Sequence, residues 1–230
     1  MNYRPVLVLA DAAGDPQPAF AVLRALVPSP EHVTVVAHQA PQLFAWMAPA
    51  APEQEQAAGE ALDRLRAAAR LLAPAVDVRI AAELAIDALT ELVTSTGIDL
   101  VAVGAHERAG IALAGELRKR AAVAVLYLPD RGSEGPYGLF CVGLSARERW
   151  IIASFLAAHA TTTDRASLLS GVRLSDQEIR QIRSIAGITV DVQRVDGDDL
   201  FRRILRDDIS ADPHLIVLPS PGPRVGPIGP

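Results

Sequence analysis

The chain predicts an α/β fold built on open, parallel sheets, and three observations carry that prediction. Short, continuous apolar runs rich in branched residues read as strands covered on both faces. Between them lie longer stretches whose apolar residues recur at helical spacing. The alternation stops at a cluster of turn formers and then starts again in the same order.

The elements follow in turn. "VLVLA" (6–10) is the first strand, and "DPQP" after it offers Asp15 as N-cap and Pro16 at the first helical position. Phe20, Leu23 and Val27 then mark a helix. "HVTVVAH" (32–38) is a second strand, and Glu53 to Leu72 a long helix with Leu62, Leu65, Ala69 and Leu72 on one stripe. "VDVRIAA" (76–82) is a third strand. Ile86, Leu89 and Val93 mark a helix that Gly97 ends from the position after its C-cap. "IDLVAVG" (98–104), a short helix over 111–121, and "VAVLYL" (123–128) complete a βαβαβαβαβ order. Right-handed crossovers make the sheet parallel, with strand order 3-2-1-4-5 and helices on both faces.

"PDRGSEGP" (129–136) is a linker. Beyond it, "LFCVGLS" (139–145) is a strand and "SARE" (145–148) a capping box opening a helix through His159. "RASLLS" (165–170) is a strand, "SDQE" (175–178) a second capping box, and Ile179, Ile182 and Ile185 the stripe of a short helix. "ITVDVQRV" (188–195), a helix over Asp198 to Ser210, and "HLIVLP" (214–219) close the series. "IDLVAVGAH" (98–106) lies over "PHLIVLPSP" (213–221), so the second round repeats the first four strands and stops. Two tandem domains, 1–130 and a truncated 137–221, precede a Pro/Gly tail over 222–230 expected to form no regular ladder.

Bulk properties narrow the function. A chain of 230 residues is long enough for a sizeable core, and 50% of it is hydrophobic. A formal charge of −5 gives no electrostatic reason for nucleic acid or an anionic membrane as partner. The one cysteine, Cys141, sits in an apolar run and reads as an inert core thiol in a reducing compartment. No apolar run reaches the roughly 20 residues of a membrane span, so the expectation is a cytoplasmic protein without membrane insertion.

The stretch "VAVGAHERAGIALAGE" (101–116) concentrates the functional question. A buried strand running into a glycine turn is how α/β proteins hold phosphate, through backbone N–H groups and a helix N-terminus. Together with the element order, it makes the chain similar to the universal stress protein family in its tandem form, clearly over 4–129 and more weakly over 137–221. The resemblance implies a small, typically dimeric α/β fold in which some members bind ATP. On it, Asp11 takes the acidic position closing the first strand, and Ala37 or its neighbours the adenine position. Gly104 and Gly110 lie in "GAHERAG" (104–110) where the family has "GSHGRGG", and Gly115 beyond it takes the third glycine position. Glu107 stands at a glycine position and Glu116 at the hydroxyl position, with Gly115 two residues early. Two like charges 4 Å apart at an effective dielectric near 20 repel by about 4 kcal/mol, enough to offset several phosphate hydrogen bonds.

The remaining candidates are weaker. His106 reads as a solvated loop histidine, and His32 and His38 lack a third ligand, so no metal is expected. "GLSAR" has no nucleophile elbow. Arg202, Arg203 and Arg206 form a solvated helix face. "PQLFAWMAPAAP" (41–52) carries apolar side chains that cover the strand-end cleft, meet a protein partner, or fold back on the core. The expectation is a non-catalytic stress-response or regulatory protein, a homodimer or an intramolecular pseudo-dimer, with no bound cofactor and ATP binding weakened or lost. The alternative is an ATP/AMP-binding switch or weak ATPase using Asp11, Gly104, Gly110 and Gly115. A third reading is a soluble regulatory piece working with a membrane transporter.

Overall fold

A computed structural model describes residues 5–27, 30–38, 52–81, 85–104, 108–128, 137–143, 145–158, 163–194 and 214–218. The apolar segment 41–51, loop residues His106 and Glu107, the linker 129–136, the helix expected over 198–210 and the tail 219–230 lie outside them.

The first half alternates as expected: β1 (Pro5–Asp11), α1 (Gln17–Leu26), β2 (His32–His38), α2 (Pro52–Arg70), β3 (Ala75–Ala81), α3 (Ile86–Thr96), β4 (Leu100–Gly104), α4 (Arg108–Ala121) and β5 (Ala124–Leu128). All four pairings among these strands are parallel, in the order 3-2-1-4-5. The second half holds β6 (Tyr137–Gly143), α5 (Ala146–Ala158), β7 (Thr163–Ser170), α6 (Asp176–Ala186), β8 (Val190–Arg194) and β9 (His214–Leu218). Its strands lie in the order β8-β7-β6-β9, again parallel, so the 3-2-1-4 arrangement recurs.

The joint between the halves is not a feature the sequence announces. β9 pairs antiparallel with β5, Val125 opposite Leu218 and Tyr127 opposite Ile216, fusing nine strands into one sheet. The halves thus stand head to tail across that seam.

Two apolar layers cover the sheet. On one face α1, α2, α5 and α6 bury Phe20, Leu23, Leu65, Ile152, Leu156 and Ile182 against Val8, Val35, Leu126 and Leu168. On the other, α3 and α4 bury Leu89, Val93, Ala114 and Leu117 against Leu7, Val101 and Tyr127. Strands buried on both faces have no polar side to show, which explains their uninterrupted apolar runs. Helix ends follow their local chemistry. Gly97 (φ 67°) and Gly187 (φ 69°) adopt the left-handed conformation that ends α3 and α6. Asp15 Oδ1 accepts the Gln17 N–H at 3.0 Å, but the N-cap of α1 is Pro16, one residue later than the sequence placed it.

Candidate functional site

In an open parallel sheet, ligands bind beyond the carboxyl ends of the strands where strand order reverses. Here that switch point falls between β1 and β4. A hollow of about 330 Å³ lies there, lined among others by Asp11, Gly14, Asp15, Pro16, Phe20 and Gly104. Its volume is at the small end of the roughly 300–1,000 Å³ typical of ligand pockets.

The hollow exists because β1 reaches α1 through a five-residue turn. Asp11, exposed at the strand end, shapes that turn by accepting the Ala13 N–H at 2.8 Å. The Ala12 N–H bonds the His38 carbonyl at 3.0 Å, tying the turn to the end of β2. Gly104 ends β4 opposite Leu128 and opens onto the hollow. A Cβ built there meets no described atom within 4 Å, so glycine leaves space rather than relieving a clash.

Of the other expected positions, Ala37 is fully buried in β2, in register with Ala10 and Ile80, and is not among the described residues lining the hollow. Gly14, Pro16 and Phe20 line it but were not singled out as site residues, and Asp15 was read only as a cap. The signal that could have found them was the "DPQP" cap itself, since it fixes where α1 begins and hence which turn faces the switch point.

The glycine loop needs correction. A loop over 104–116 with a helix from 111 is not what forms. α4 starts at Arg108, leaving only 105–107 between strand and helix. Gly110 is then in the first helical turn, where backbone N–H groups lack intrahelical partners. Gly115 is buried in mid-helix, one full turn and more beyond it. The alanines, leucines, arginines and glutamate of "RAGIALAGELRKRA" are strong helix formers, and they outweigh a cost of about 1 kcal/mol per interior glycine. Glu116 accordingly sits on the half-exposed flank of α4. Its carboxylate takes a hydrogen bond from Arg120 Nε at 3.1 Å and lies 3.6 Å from Lys119 Nζ. The Arg120 hydrogen bond, chiefly, holds its pKa below the usual glutamate range. Glu116 therefore lies within α4 rather than in the segment between β4 and α4.

Among the described residues no three or more His, Cys, Asp or Glu side chains gather as metal ligands. Among them, too, no helix is long and apolar enough to cross a membrane.

No protein-family model matches the chain, and no curated protein matches it. Solved structures do. A universal stress protein in complex with cAMP aligns at 21% identity, covering 58% of this chain and 100% of its own, with a TM-score of 0.35. A universal stress protein from Archaeoglobus fulgidus aligns at 11% identity over 94% of this chain and 96% of its own, with a TM-score of 0.49. The cytoplasmic domain of a prokaryotic cation chloride cotransporter aligns at 12% identity over 95% and 96%, with a TM-score of 0.51. At these identities the likeness is one of fold alone: the chain is an open α/β protein, and its fold is similar to that of the cotransporter domain.

Proposed function

We propose that the chain is a non-catalytic regulatory protein of universal stress protein type, built as tandem domains over 1–130 and 137–221. It works in the cytoplasm as an intramolecular pseudo-dimer, a reading supported by the antiparallel β5–β9 seam between two like-ordered sheets. Its ligand site is the strand-end hollow of the first domain. The observation carrying this reading is that Asp11 and Asp15 both line that hollow, while only three residues separate β4 from α4. A long glycine loop that wraps three phosphates has no room there. Two carboxylates near the mouth repel phosphate, each by up to about 4 kcal/mol for a unit charge at 4 Å.

The hollow therefore suits an adenine nucleoside better than its triphosphate. Calorimetry with adenosine, AMP and ATP, with and without magnesium, tests this. Affinity is expected to fall as phosphates are added, with no ATP turnover. Tight magnesium-dependent ATP binding would restore the nucleotide switch or weak ATPase, with Gly104 and Gly110 at the phosphates.

A second reading, regulation of a membrane transporter, is favoured by the fold shared with the cotransporter domain along nearly the whole of both chains. Cross-linking in native membranes that captures a transporter supports it; recovery only as a free protein argues against it.

A further inference from the structure

The second half treats its own switch point differently. Between β6 and α5 only residues 144 and 145 intervene, against the five of the β1–α1 turn. At the end of β6, a Cβ on Gly143 would stand 2.7 Å from Arg149 Cγ, so the strand end lies directly under an α5 side chain. Ser145 and Glu148 form a capping box: Ser145 Oγ accepts the Glu148 N–H at 3.2 Å, and Glu148 Oε2 accepts the Ser145 N–H at 2.9 Å.

The other oxygen of that glutamate points across the molecule. Glu148 Oε1 accepts a hydrogen bond from Arg118 Nη2 of α4, in the first half, at 2.6 Å. Both residues are nearly closed to solvent, Arg118 at 8% and Glu148 at 3% exposure. A charge-assisted bond this short in a dry site is strong, and losing either partner removes it.

We propose that Arg118 is a latch by which the first half completes the N-terminus of α5. The order of α5 therefore depends on α4 being docked.

The test is hydrogen exchange on the whole chain carrying Arg118→Met, Glu148→Gln, or both. Arg118→Met is expected to speed amide exchange at 146–152 at least tenfold while α1 to α3 keep wild-type protection. The double variant should add little to either single one, because both remove the same charge pair. A purely local role for Arg118 would loosen α4 alone, and unchanged exchange in 146–152 overturns the proposal, as does additivity. Should Arg118→Met fail to fold, Arg118→Lys reads the same contact. It keeps the charge but loses the guanidinium geometry, so intermediate exchange in 146–152 is expected and wild-type exchange refutes the latch.

Discussion

Gly143 is glycine because a helix passes over it. A methyl group there would lie 2.7 Å from Arg149 Cγ, 3.3 Å from Arg149 Cα and 3.2 Å from Ile152 Cδ1. The backbone atom cannot swing aside, so Gly143→Ala should overpack the contact and cost about 1–3 kcal/mol, read as a lowered urea midpoint with unchanged slope. An unchanged midpoint would mean that α5 rides higher over β6. Two residues back, Cys141 shows the opposite case of a residue legible from its setting. Its apolar run foretold burial, and burial pushes the thiol up to about 12, leaving it protonated and inert. Asp11 was legible too, as an acid closing a strand. Glu116 was not, because its meaning turns on where a helix starts, and a glycine four residues or more inside a helix looks the same on paper as one in a loop.

Elements were most readable where their ends carry chemistry. Both capping boxes, at Ser145 and Ser175, form as the sequence predicts, and Gly97 ends α3 as expected. Strand ends shifted by at most about two residues, the usual scatter of ladder ends. α4 was the exception, extended by three residues at its start because propensity summed over fourteen residues outweighed two glycines. The box at Ser175 carries a further prediction. Hydrogen bonds from Ser175 hold the Glu178 carboxyl below its ordinary range, with Arg149 at 3.5 Å adding a smaller pull. A carboxylate whose folded acidity is strengthened stabilises the fold above its unfolded pKa and loses that contribution as pH falls through the folded value. The first turn of α6 should therefore lose protection on acidification below the normal glutamate range, after correction for intrinsic exchange rates. Glu178→Gln should remove that pH dependence; if the dependence survives in the variant, another group governs it.

At the scale of the whole molecule, the strand order within each half followed from handedness, but the seam did not. Nothing in "HLIVL" distinguishes a strand that pairs on one side from one that pairs on both, since either reads as a continuous apolar run. In the structure β9 is paired on both sides, parallel to β6 and antiparallel to β5, with Val217 opposite Cys141 and Leu126. Val217→Pro removes a donor from the middle of this strand, which interior ladders do not tolerate. The expected result is that a single thermal transition splits into two, one for each half; a single transition at nearly the wild-type temperature would show that helix contacts hold the halves together instead. The position of β9 also bears on how the chain is made. It is the last of the described strands to leave the ribosome, yet it belongs between two that are finished long before. Until it arrives, β5 and β6 each present an unpaired edge of the kind that recruits other chains, so the nascent protein is most exposed to aggregation just before this joining strand is delivered.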